Sequence, residues 1–251
     1  MQRFINKNVI VTGGAGGIGD AVCRRFAQEG AQVWIVDSDA EAAAALSETI
    51  CHAGGRAQWR AVDLSQREEI EAFVAGMVAQ EARIDVLINN AGINRRGALL
   101  ALSDADWQAT FTVNLDALFY MCRAVLPQMI AQGGGAIVNT ASQWGLHPAP
   151  GHIAYNTSKA AVAAFTLSLA RDYAPDNVRV NAVCPGEVRT PMLESNLSRS
   201  GRSIDELNAL VPFGRIGEPA EIAATIAFLA SDEAPYLCGS LLEITGAQAV
   251  A

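Results

Sequence analysis

The chain has 251 residues, 51% of them hydrophobic, enough to bury one large core. A formal net charge of −8 and a pI near 4.9 exclude a protein that grips nucleic-acid phosphates through a concentrated basic surface. Five scattered cysteines with no CxxC pair speak against both a disulfide framework and a zinc site, so reduced thiols and no metal are expected.

Residues 1–7 are polar and lead straight into a strand-like run, without the apolar core of a signal peptide. The longest apolar stretch, 160–170, is too short to span a bilayer. A cytoplasmic protein with no membrane partner is expected. Strand-like runs at 9–12, 32–37, 57–62, 86–89, 136–140, 179–183 and 240–244 alternate with segments of helical periodicity at 17–28, 40–53, 68–81, 104–130, 153–173 and 219–231. This alternation predicts one α/β domain over 1–251, a doubly wound seven-stranded parallel sheet with helices on both faces. Only 186–214 breaks the rhythm; with helix-like pieces near 191–197 and 203–210, it is placed as a lid over substrate.

The first strand runs into Thr12-Gly13-Gly14-Ala15-Gly16-Gly17-Ile18-Gly19, and an amphipathic helix follows. Glycines here allow a tight turn and close approach of a pyrophosphate, and the helix start offers it free N–H groups. Gly13, Gly17, Ile18 and Gly19 are therefore expected cofactor contacts. Asp37 ends the second strand, about 20 residues on, where a carboxylate accepts from ribose hydroxyls. It would repel a 2′-phosphate, and no arginine or lysine stands at 15, 16, 38 or 39, so the expected cofactor is NAD rather than NADP. Asp63 and Leu64 close the third strand and Asn90, Ala91 and Gly92 follow the fourth, all at the crevice end of such a sheet. A capping role for Asp63 is equally open.

Tyr155 and Lys159, at i,i+4 spacing in a helical segment, leave the same helix face. A neighbouring ammonium, helped by a cationic nicotinamide, would favour the phenolate near neutral pH, so that Tyr155 could take or return an alcohol proton. Ser142 reaches Tyr155 only if the intervening loop folds back; its hydroxyl would then hold the substrate oxygen. Asn114, a poor interior helix former, could hold water that feeds protons to Lys159. Each of these residues alone also fits an ordinary cap, turn or solvated helix face.

Together with Pro185-Gly186, these spaced motifs resemble the short-chain dehydrogenase/reductase family over essentially the whole chain. The resemblance implies a Rossmann-like fold, a catalytic tetrad of Asn114, Ser142, Tyr155 and Lys159, and nicotinamide contacts at Pro185, Gly186, Val188 and Thr190. It also implies that Tyr155 and Lys159 touch the cofactor and that the chain forms a homotetramer or homodimer. One departure stands out: the family commonly ends in a strand followed by Asp-Gly-Gly, whereas this chain reads Glu243-Ile244-Thr245-Gly246-Ala247.

Substrate candidates around the motifs are polar: Arg95 beside Arg96, Gln143 and Trp144, His147, His152 and Glu187. An arginine could clamp a carboxylate and the others read hydroxyls, which suggests a small polyhydroxylated substrate, a sugar or sugar acid. The alternatives are a 3-ketoacyl-(acyl carrier protein) reductase, whose usual NADPH preference Asp37 opposes, and a catalytically idle dinucleotide-binding sensor or scaffold.

Overall fold

The structure, a computed structural model, describes residues 2–201 and 203–248. Seven parallel strands form one sheet in the order β3-β2-β1-β4-β5-β6-β7. They are β1 (Asn8–Thr12), β2 (Gln32–Asp37), β3 (Arg56–Ala61), β4 (Val86–Asn89), β5 (Gly135–Thr140), β6 (Val178–Pro185) and β7 (Leu241–Ile244). Each lies within two residues of its expected bounds at either end, the usual uncertainty of an element boundary.

Alternation along the strands divides the core in two. Ile10, Trp34, Leu87 and Ile137 face one layer, packed by α3 (Arg67–Glu81), α5 (Ala117–Ala131) and α7 (Ile153–Tyr173) through Ile70, Met121 and Val162. Val9, Val11, Ile35 and Val138 face the other, packed by α1 (Gly17–Gln28), α2 (Ala40–His52) and α10 (Pro219–Ala230) through Phe26, Leu46 and Ile226. Each such side chain, fully buried, contributes about 1.5–3 kcal/mol. Strand order reverses between β1 and β4, which opens a crevice at the carboxyl ends of the strands.

Two local results differ from the sequence reading, in the helix over 104–130 and after β5. The expected helix over 104–130 is α4 (Asp104–Phe111), a π-helical turn (Thr112–Asp116) and α5. The turn holds Asn114, whose side chain bonds outside the helix, and π turns of this kind gather at functional positions. A short helix, α6 (Gln143–Leu146), was not expected; Ser142 caps it by accepting from the Trp144 N–H at 3.1 Å. The 186–214 segment carries α8 (Pro191–Ser200) and α9 (Ile204–Asn208). Its apolar contacts, Leu197, Leu207, Val211 and Ile216, form a small cluster apart from both main layers.

Candidate active site

Two adjoining cavities open at the crevice. The larger, about 450 Å³, runs from the glycine turn past Asp37 and Asn90 to Tyr155 and Lys159. The smaller, about 140 Å³, lies between Ser142, Trp144 and Glu187. Tyr155 lines both.

The large cavity begins where β1 meets α1. Gly13 has φ +60, and a Cβ on Gly19 would lie 1.9 Å from the Gly13 carbonyl oxygen, so only glycine lets the helix start under the turn. Asn90 buttresses this turn: its Nδ2 donates to the Thr12 and Gly13 carbonyls at 3.3 and 3.0 Å. Asp37 takes the Ala15 N–H on Oδ2 (3.0 Å) and the Asp39 N–H on Oδ1 (3.1 Å), leaving lone pairs on both oxygens toward the cavity. Lys159 is the one cation among the described residues lining this cavity. A glycine cradle, a helix start and a ribose-reading carboxylate fit a nicotinamide dinucleotide.

Other expected cofactor residues divide between the cavities. Gly17, Ile18, Leu64, Ala91 and Gly92 line the large one. Pro185, Gly186 and Val188 line the smaller instead, whereas Thr190 borders both. Asp63 is exposed and takes the Ser65 N–H at 2.9 Å, and the Ser65 side chain first, then its backbone, hold the carboxyl below the usual range. Asp63 does not cap α3, whose N-cap is Gln66 without a side-chain cap bond, and it still borders the cavity.

The loop between β5 and α7 does fold back. Gly145 makes this possible: a Cβ there would stand 2.6 Å from the Lys159 carbonyl carbon, so α6 lies directly on the α7 backbone. Ser142 is thereby brought to the wall of the small cavity that Tyr155, on the first turn of α7, also lines. Trp144 packs edge-on against the Tyr155 ring, centroids 6.0 Å apart, and tilted on His152 at 4.6 Å.

Burial dominates the electrostatics of this pair. Burial pushes the Tyr155 phenol up to about 12; the Ser142 hydroxyl pulls it down by less, and Glu187 raises it further. Burial also drives Lys159 down to about 8. Its Nζ donates to the Thr140 carbonyl at 2.6 Å and sits 5.8 Å from the Tyr155 ring centre. The protein's own groups therefore hold the phenol neutral, because desolvation outweighs a lysine that has turned to a backbone carbonyl.

Asn114 is held by bonds within the protein. Its Oδ1 accepts from the Ile93 N–H (2.8 Å) while its Nδ2 donates to the Ile93 carbonyl and the Ser158 hydroxyl (both 3.0 Å). It clamps the irregular segment following Gly92 to α7 and makes no direct bond to Lys159. Below it a buried ladder, Asn89 to Asn139 to Thr166 at 2.9 Å each, ties β4 to β5 and α7.

On the substrate side, Arg95 is misplaced by the sequence reading. Its side chain is half exposed and faces Asp106 at 3.5 Å. The next residue, Arg96, borders the small cavity instead, with Asn94, whose Oδ1 lies 3.1 Å from His152 Nδ1. Burial first, and then Arg96, lower the pKa of His152. Gln143, Trp144 and Glu187 line this cavity as expected. His147 points elsewhere, toward Glu243 at 3.3 Å. Asn94 went unrecognised because an irregular loop, with no periodicity, decides which of Asn94, Arg95 and Arg96 turns inward.

A sequence profile described as short chain dehydrogenase matches residues 7–200. The 3-oxoacyl-(acyl-carrier-protein) reductase of Thermotoga maritima is 39% identical over 98% of both chains. Oxidoreductase UcpA of Escherichia coli K12 is 37% identical over 98% of this chain and 95% of its own. L-sorbose reductase from Gluconobacter frateurii, solved with NADPH and L-sorbose, superposes with TM-score 0.93 over 100% of both chains at 29% identity. The chain belongs to the short-chain dehydrogenase/reductase family, and is an oxidoreductase acting on CH–OH groups with a nicotinamide dinucleotide.

Proposed function

We propose that this protein is an NAD-dependent enzyme interconverting a secondary alcohol and a ketone on a compact polar substrate. The observation that carries it is Tyr155 on the wall shared by a dinucleotide-sized cavity and a small polar one. The cofactor, held by the glycine turn, Asp37 and Lys159, supplies the hydride acceptor or donor. The Ser142 hydroxyl holds the substrate oxygen, and Tyr155 Oη takes the alcohol proton in oxidation or returns it in reduction. Lys159 keeps a cationic donor behind Tyr155, and Asn114 fixes the Gly92–Ile93 backbone against α7. The chain acts as one domain, with 186–214 as its lid, and as a homodimer or homotetramer in the manner of its family.

Asp37, with no cation beside it, supports NAD over NADP. A cavity of about 140 Å³ bordered by Arg96, Asn94, Gln143 and Glu187 suits a sugar or sugar acid better than a long acyl chain. Relatives favour a second reading, reduction of a 3-oxoacyl thioester, since several matches of 36–39% identity are 3-oxoacyl-(acyl-carrier-protein) reductases. A turnover screen at 340 nm separates the two: polyols and sugar acids with NAD+ against acetoacetyl-CoA with NADH and NADPH. Turnover confined to acetoacetyl-CoA and NADPH would overturn the first reading.

A further inference from the structure

The segment after β7, which departs from the family pattern, touches a residue that lines the small cavity, Gln143. Residues 245–248 form a tight turn, with the Gln248 N–H on the Thr245 carbonyl at 3.1 Å. Gly246 and Ala247 are both left-handed, at φ 61 and 62. For alanine that conformation costs on the order of 1 kcal/mol and persists where surrounding contacts impose it. Here the Gly246 carbonyl accepts from the Phe213 N–H at 3.1 Å, tying the turn to the segment after α9. The result places Gln248 Oε1 3.1 Å from Nε2 of Gln143.

Gln143 is 2% exposed and lines the small cavity beside Ser142. Its Nε2 is satisfied by Gln248, but its Oε1 has no hydrogen-bond partner among the described residues. A buried amide oxygen left unpaired costs about 1–3 kcal/mol, so such an atom bordering a substrate cavity is suited to a ligand donor.

We propose that Gln143 Oε1 accepts a hydrogen bond from a substrate hydroxyl next to the reacting carbon, and that Gln248 in the C-terminal turn is the positioning residue that holds the Gln143 amide for it. Adjacency follows from the chain: Ser142, which holds the reacting oxygen, is the neighbour of Gln143. An amide oxygen only accepts, so it selects a substrate carrying a donor and rejects one that leaves it buried and unpaired. A simple alcohol, or a 3-oxoacyl thioester with no hydroxyl there, gains nothing from it. This assignment rests on the compact polar substrate proposed above and narrows it to vicinal diols and their ketols.

The test compares NAD+ reduction by 2,3-butanediol, xylitol, sorbitol and mannitol with that by 2-butanol and cyclohexanol, in the wild type and in Gln143→Met, Gln248→Leu and Gln248→Glu. NADH fluorescence titration reports that each variant is folded. The wild type is expected to prefer its best polyol over either simple alcohol by about 10- to 100-fold in kcat/KM. Gln143→Met brings that ratio toward one. Gln248→Leu lowers it chiefly through a higher polyol KM, and Gln248→Glu, which keeps the acceptor for Gln143 Nε2, restores it. A polyol preference that survives Gln143→Met overturns the Gln143 assignment while leaving the polar-substrate reading intact. Gln248→Glu behaving like Gln248→Leu overturns the positioning role. A wild type that turns over none of the polyols overturns the polar-substrate reading and this assignment together.

Discussion

Lys159 Nζ stands 5.8 Å from the centre of the Tyr155 ring and gives its short hydrogen bond, 2.6 Å, to the Thr140 carbonyl rather than to the phenol. The two residues share a helix face, yet burial acts on them in opposite senses, raising one pKa to about 12 and lowering the other to about 8. Both shifts favour the neutral side chain. A proton relay through this pair therefore depends on charge brought into the large cavity with the cofactor.

The lysine shift has a measurable consequence for stability. Lys159 has a folded pKa of about 8 against an ordinary 10.5, so between these values the unfolded chain binds more protons and stability rises with pH. The Lys159→Met variant lacks this contribution. Denaturant melts of the cofactor-free proteins should show the wild-type stability, relative to the variant, climbing by on the order of 1 kcal/mol per pH unit between pH 8 and 10. A flat difference across that window contradicts the buried, depressed ammonium.

Asp37 is expected to control the choice of cofactor. Replacing it with serine removes the charge facing the adenosine ribose, and Ser38→Arg adds a partner for a 2′-phosphate. The double variant should lose about 10-fold or more in kcat/KM with NAD+ and gain at least as much with NADP+. Because Asp37 also accepts the Ala15 and Asp39 N–H groups, a fall in stability of about 1 kcal/mol should accompany the switch. Unchanged cofactor preference in steady-state kinetics would remove Asp37 from that role.

Gly19→Ala forces a methyl group to within 1.9 Å of the Gly13 carbonyl oxygen, a backbone contact that cannot swing aside. The turn must open, so NADH affinity should fall by about 100-fold or more and stability by roughly 1–3 kcal/mol. Gly76→Ala, on α3 away from the large cavity, where an added Cβ meets nothing within 4 Å, is the control. Fluorescence titration of both variants checks the contrast.

Gly13, Gly19, Asp37 and the Tyr155/Lys159 pair were legible because their meaning is local: a strand, a turn and a helix in sequence, or one helical turn between two side chains. The seven-stranded parallel sheet followed from the same alternation, whereas its strand order did not. Asn114 was found, but its clamp on Ile93 was not, because the apolar periodicity of 104–130 runs unbroken through the π turn. The opposing pKa shifts at Tyr155 and Lys159 come from tertiary burial, which the i,i+4 spacing does not encode. Gln143 was legible as a neighbour of Ser142, but its partner Gln248 lies across the sheet end in a turn without periodic signal.

The two neighbouring arginines give a direct comparison. Arg96 borders the small cavity, whereas Arg95 faces Asp106. With an anionic substrate, Arg96→Ala should raise KM by about 10-fold or more, the loss of a charge-assisted hydrogen bond, and Arg95→Ala by less than about 2-fold. The reverse pattern would restore the clamp to Arg95.

The central claim is that Tyr155 moves the proton. The most direct measurement is turnover by Tyr155→Phe across pH 6–10, with NADH affinity measured on the same preparation. The wild type should oxidise alcohol faster as pH rises, because the base form is required, and reduce ketone more slowly. The variant should bind NADH with affinity near the wild type's while kcat falls by about 10²–10⁴-fold and the pH slope disappears. A variant that turns over within a few-fold of the wild type, with the same pH profile, would contradict the account.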